Sequence, residues 1–224
     1  MSAYWYLTRA SGTVALVLLT VALVLGMVNV SRVSGRRWPR FVIDGVHRSV
    51  SLLAIAFLAV HIVTAVLDSF APIGLLDAVI PFHSAYRPFW LGLGALAFDL
   101  LIAIAITSVA RARFGHRAWR AVHWLAYACW PIAVLHTLGT GSDAKQTWLL
   151  IIVCVCVCVG LAAVISRLRL RDSPITAGQR SIGIVGSVAF ALGLLVWLPS
   201  GPLGRDWARR SGTPAALLAH PARR

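Results

Sequence analysis

The chain is predicted to be an all-α polytopic membrane protein, with six transmembrane helices packed as one bundle. Three observations predict it. Of 224 residues, 59% are hydrophobic and only 12% charged, against roughly 25% charge in a soluble domain. Such a composition leaves too little polar surface for water, so most of the protein must face lipid. Second, the apolar residues gather into six stretches, each close to the ~20 residues a spanning helix requires. Third, the cationic residues fall between those stretches rather than along one stripe.

The six stretches lie near residues 11–30, 42–67, 89–110, 119–138, 147–166 and 181–199. The first follows a ten-residue lead whose only cationic side chain is Arg9, with no small-x-small cleavage pattern after it. It therefore reads as a retained helix preceded by a short external N-terminus, residues 1–10. The second carries two histidines, and the third a lone carboxyl, Asp99. The fourth carries two more histidines flanking Pro131, which predicts a kink there. The fifth holds the run VCVCVCV, and the sixth leads into a tail, residues 200–224, whose Pro, Gly, Ala and Arg predict disorder. The long connection from Asp68 to Pro88 includes an apolar stretch, residues 73–82, suited to the membrane interface. Tyr4, Trp5, Trp38, Trp90, Trp119, Trp148 and Trp197 sit near proposed helix ends, as interfacial anchors do. Neither internal repeats nor a Gly-rich dinucleotide fingerprint occur.

A net charge of +14 first suggests nucleic acid, but its placement indicates topology. Alternate connections hold Arg32, Arg36, Arg37, Arg40 and Arg48, then Arg111, Arg113, Arg117 and Arg120, then Arg167, Arg169, Arg171 and Arg180. The opposite side has Arg9, Arg87 and Lys145 before the tail. The positive-inside rule puts both termini outside a cell membrane. The tail, with Arg205, Arg209, Arg210, Arg223 and Arg224, runs against that trend and is outweighed by three concordant loops.

Ionisable groups inside lipid are costly and mark functional sites. His47 and His61 lie fourteen residues apart on the second stretch, and His123 and His136 thirteen apart on the fourth. Both stretches run inside to outside, so the histidines form two depth-matched pairs, His47 with His123 and His61 with His136. Fourteen residues rise ~21 Å and thirteen ~20 Å, room for two haems stacked across the membrane. Ligation by one imidazole from each helix leaves no open iron position, which favours electron transfer. Rotation fits less well: His61 returns to within ~40° of His47, but His136 stands ~140° from His123 on an ideal helix, and a kink at Pro131 is the candidate correction. A lone histidine in this setting would read as a packed group bonded to a backbone carbonyl; for the four together the alternatives to haem are a different metal, a proton relay or packing alone. His83, His116 and His220, in loops and tail, keep that plain reading.

Other residues take lesser roles. Asp99 is a candidate acceptor for a ligand histidine, or simply a neutral carboxyl bonded to a neighbouring helix. Arg40, Arg48 and Arg120 on the inner side, and Arg87 and Lys145 on the outer, are candidate partners of haem propionates, or topology charges. Gly92, Gly94, Gly139 and Gly141 suit close approach of a macrocycle, or plain helix packing. Cys154 and Cys158 share one helix face and Cys156 another, which with Cys129 reads as packing.

The stretches HRSVSLLAIAFLAVHIVTAVLD (47–68) and WRAVHWLAYACWPIAVLHTLGTGSD (119–143) resemble the ferric reductase-like transmembrane domain family. That family includes the membrane parts of ferric reductases and NADPH oxidases, and the haem subunit of the periplasmic methionine sulfoxide reductase system. The resemblance covers roughly residues 9–200 and implies two b haems ligated by His47, His61, His123 and His136. It departs from the reductases and oxidases in carrying no FAD or nicotinamide module, so FAD or FMN is expected only on a separate partner. The chain then reads as the haem membrane subunit of an oxidoreductase. Electrons would pass from a cytoplasmic flavoprotein or quinol to an external flavin-bearing or metal acceptor, with lipid and no nucleic acid as its surroundings. The rival expectation is a haem-free proton or metal-ion transporter using the same histidines.

Overall fold

A computed structural model describes residues 2–30, 39–141, 143–169 and 176–219. Arg32, Arg36, Arg37, Trp38, Arg171, His220, Arg223 and Arg224 lie outside the described residues. The described residues are all-α, without a strand: α1 (Ala3–Val30), α2 (Arg40–Leu67), α3 (Leu75–Val79), α4 (Pro88–Val109), α5 (Arg111–His123), α6 (Ala126–Thr140), α7 (Thr147–Arg169), α8 (Ala177–Ser200), α9 (Trp207–Arg210) and α10 (Ala215–Ala219). Helices α1, α2, α4, α7 and α8 are each long and apolar enough to cross a membrane, and α5 with α6 forms a pair bent by 45° that makes a sixth candidate crossing if it is one span. The chain is a multi-pass membrane protein.

Helix α1 lies along α2 and also touches α6 and α7, while α4 lies along α6 and α7 meets α8. The core forms where α1, α6, α7 and α8 converge, on Leu16, Trp130, Val134, Leu138, Leu149, Val153 and Leu194. Trp130 links three of these helices. Its Nε1–H donates to Thr20 Oγ1 (2.9 Å), and its indole fills a notch at Gly160 of α7, where a Cβ would stand 2.5 Å from Cζ2. Apolar interhelical drive is weak in lipid, so small-residue notches and satisfied polar groups hold such helices together. The outward faces stay apolar, with Ile182, Val185, Leu195 and Val196 of α8 bare for lipid.

The fourth stretch departs from expectation. Helix α6 continues through Pro131, and the chain bends 45° between α5 and α6, at Trp124 and Leu125. There the bonds tighten to the i→i−3 pattern: Leu125 N–H donates to Val122 O (2.9 Å), Tyr127 N–H to Trp124 O (3.1 Å) and Ala128 N–H to Leu125 O (3.0 Å). Tighter winding advances the side chains faster than an α-helix does. A second break within α5 falls at Gly115, at φ 76° and ψ 160°, a region open essentially to glycine alone.

Two further expectations are corrected. The tail does not fray from Ser200: residues 201–219 fold back over the end of the bundle where α1 and α4 start and α6 ends, the outer end in the topology expected from the loop charges. Trp207 packs against Trp90 and Trp197 (centroids 5.2 and 5.7 Å) and gives its Nε1–H to Gly139 O (3.1 Å), so Trp90 and Trp197 face each other rather than lipid headgroups. Arg167, counted as a loop charge, is buried at the inner end of α7. The stretch 73–82 contains α3, held by Asp77 Oδ2 accepting from Gly74 N–H (2.8 Å), with Leu75, Leu76, Val79, Ile80 and Phe82 exposed.

Candidate functional site

The four histidines come together as two pairs. His47 faces His123 with ring centroids 6.3 Å apart and planes at 73°. His61 faces His136 at the same 6.3 Å and 85°. A ligated imidazole nitrogen stands about 2 Å from its metal, so two such bonds in line, plus the reach to each ring centre, span about 6 Å. The bend and the tightened i→i−3 turn at Trp124 and Leu125 lie between His123 and His136, where a change of winding alters the rotation expected of an ideal helix.

Three rings are held by backbone. His47 Nδ1 donates to Ala22 O (3.0 Å), His61 Nδ1 to Thr8 O (2.7 Å) and His136 Nδ1 to Trp90 O (2.9 Å), with Thr140 Oγ1 3.2 Å away. A carbonyl only accepts, so the proton sits on Nδ1 and the lone pair on Nε2. This is the tautomer a metal-binding histidine needs, with its orientation set by the outer hydrogen bond.

Each acceptor carbonyl has a glycine four residues on. Gly12 follows Thr8, Gly26 follows Ala22 and Gly94 follows Trp90. A Cβ would fall 2.7 Å from His61 Nδ1 at Gly12, 2.5 Å from His136 Cε1 at Gly94 and 3.5 Å from His47 Cε1 at Gly26. In a helix the residue at i+4 overhangs the carbonyl at i, so glycine there opens the groove the imidazole enters. Gly12 and Gly26 were missed from sequence, although their spacing of fourteen mirrors that of His47 and His61 across the antiparallel α1–α2 pair. Gly92 and Gly139 take other partners, the rings of Phe82 and Trp90, and Gly141 lies over the Thr137 carbonyl.

His123 differs. Its Nδ1 is buried with no hydrogen-bond partner among the described residues, and its ring stacks on Trp119 (5.0 Å, 29°).

The outer pair opens into a cavity whose walls include Leu16, Ala54, Leu58, Phe98 and Leu101, with Trp5, Arg9, Tyr86 and Asp143 towards the outer surface. Arg9, taken from sequence as a topology charge, lies with its guanidinium over the Trp5 ring, 3.5 Å from the centroid, and pairs with Asp143. The outer cations named from sequence are committed elsewhere. Arg87 is buried, donating to Gly139 O (3.2 Å), Thr140 O (2.9 Å) and Thr213 Oγ1 (3.0 Å), and burial lowers its pKa. Lys145 donates to Gly204 O (3.0 Å). On the inner side Arg40, Arg48 and Arg120 are exposed.

Asp99 is half-buried on α4, and the three hydrogen-bonded histidines take backbone carbonyls in its stead. His83 Nδ1 donates to Asp77 Oδ1 (2.8 Å), and His116 lies beside Trp119. Cys129 and Cys156 are buried, while Cys154 and Cys158 are exposed, all as free thiols. Among the described residues no three His, Cys, Asp or Glu side chains converge as a cation site.

The fold is an all-α membrane bundle with two facing imidazole pairs. The profile of the ferric reductase-like transmembrane component family matches residues 11–134, and the chain belongs to that family. The match takes in His47, His61 and His123 and stops two residues short of His136. Comparison with curated proteins and with solved structures returned no match.

Proposed function

We propose that the chain carries electrons across a cell membrane through two b haems, one held by His47 and His123 and one by His61 and His136. One observation carries this reading: two imidazole pairs share one spacing, 6.3 Å, and three of the four rings are turned by Nδ1 bonds so that Nε2 is free. A haem ligated this way supplies one-electron chemistry at an iron with no open position.

The chain's own residues do the rest. The Ala22, Thr8 and Trp90 carbonyls orient the ligands and raise their basicity. Gly12, Gly26 and Gly94 admit the rings close to the helices. Leu16, Leu58, Phe98 and Leu101 keep water from the outer site, and Arg9, paired to Asp143 within reach of the same cavity, offers positive charge to a propionate. With the arginine-rich connections in the cytoplasm, the inner pair takes electrons from a separate flavoprotein or quinol, and the outer pair delivers them to an external acceptor. A ring pinned through Nδ1 is poorly suited to swing and pass ions, which disfavours the transporter reading.

The test is a haem count with reduced-minus-oxidised spectra of the purified protein. Two low-spin haems per chain are expected, with one lost in His61→Ala or His136→Ala and the other in His47→Ala. A haem-free protein that conducts protons or metal ions in vesicles would overturn the proposal.

A further inference from the structure

We propose that Trp119 is the positioning residue for His123, doing for the inner pair what a carbonyl and a glycine do for the other three histidines. The inference rests on the two-haem reading and concerns how one of its ligands is held.

Three rings share one device, an acceptor carbonyl with glycine four residues on. Carrying the α4–α6 register inward shows why His123 lacks it. Gly94 meets His136; moving thirteen residues back from His136 to His123 corresponds to thirteen forward from Gly94, which is Thr107. There a side chain stands in place of glycine, and its Oγ1 donates to the Ala103 carbonyl four residues back (2.7 Å), the oxygen an imidazole would have used. The next carbonyl, of Ile104, already takes Ser108 Oγ (2.6 Å). The 45° bend then carries α5 off the register altogether.

What replaces the carbonyl is a relay of contacts. Ser108 on α4 accepts the Trp119 Nε1–H (3.2 Å), the Arg111 guanidinium lies over the indole at 5.2 Å, and the indole stacks on His123, one turn on along α5. The inner imidazole is thereby tied to α4 through a ring face. Stacking sets the plane of the ring without choosing which nitrogen holds the proton. Helix α5 is broken at Gly115 and again after His123, so the ligand sits on a short segment and depends on this one brace.

The outer haem is an internal control. In purified protein, His123→Ala identifies the inner haem's spectral and redox signature as the one it removes. Trp119→Ala is then expected to lose most of that haem, or to convert it from low-spin to high-spin with a shifted midpoint potential, while the outer haem keeps its signature. Trp119→Phe, which retains a stacking face, is expected to restore it. Ser108→Ala, which keeps the indole but unpins it, is expected to shift the inner potential alone, and it decides the matter if Trp119→Ala protein does not accumulate. Inner haem unchanged in these variants, or both haems lost to the same extent, overturns the assignment. A wild-type protein without haem overturns the two-haem reading itself.

Discussion

A glycine at position i+4 matters at the residue scale because a helical carbonyl has a second lone pair that a Cβ would screen. The three sites differ in how tight they are, and that difference is testable. Gly12→Ala and Gly94→Ala drive a methyl to 2.7 and 2.5 Å from the outer rings, an overpacking that costs about 1–3 kcal/mol. Gly26→Ala places its methyl at 3.5 Å from His47, ordinary contact. Haem counting is expected to show a severalfold loss of the outer haem in the first two and near wild-type content in the third. Equal behaviour of all three variants would refute the cradle. The histidines were legible from sequence because ionisable residues stand out in apolar runs. Gly94 was a candidate from sequence, but Gly12 and Gly26 were not, since small residues serve helix packing equally well, and their spacing of fourteen was the one signal that could have found them.

Elements here are held by few polar contacts, so each one counts. Trp130 joins α6 to α1 and α7; Trp130→Ala is expected to cost about 3–5 kcal/mol, and Trp130→Phe, which loses the bond to Thr20, about 0.5–1.5 kcal/mol. Reversible unfolding in detergent measures both, and equal losses would show that the hydrogen bond, not the ring, carries the contact. Gly115 is the second case. Alanine cannot adopt its backbone conformation without about 1–3 kcal/mol of strain, so Gly115→Ala is expected to destabilise α5 while leaving the outer pair intact. The bent α5–α6 pair is the candidate sixth crossing, and the other five of the six expected followed from apolar length alone. The bend did not: proline is the usual cause of a kink, and nothing in the run WLAYACW (124–130) marks a tightened turn until α6 is seen packed against α4.

For the whole molecule, the fold-back of residues 201–219 closes the outer end. Arg87 is the hinge pin, its guanidinium bonding the last carbonyls of α6 and the Thr213 hydroxyl while its backbone N–H donates to Gly212 O (3.0 Å). Trp207→Ala removes a ring from the Trp90–Trp197–Trp207 cluster and the donor to Gly139. Hydrogen exchange at the outer end of α6 is expected to speed up severalfold, with the inner end unchanged; no change there would mean the cap only rests on the surface. Topology is tested separately: a C-terminal reporter active only outside the cytoplasm should be active, and a silent one would reverse the positive-inside assignment.

Composition and hydropathy were enough for the class and for five to six candidate crossings, because transfer into lipid depends on residue type and run length. Helix rotation, the partner of each imidazole and the commitment of Arg87 and Lys145 away from the site belong to packing. They depend on which carbonyls and side chains neighbouring helices bring within hydrogen-bond range, and residues far apart in the chain carry no local mark of that.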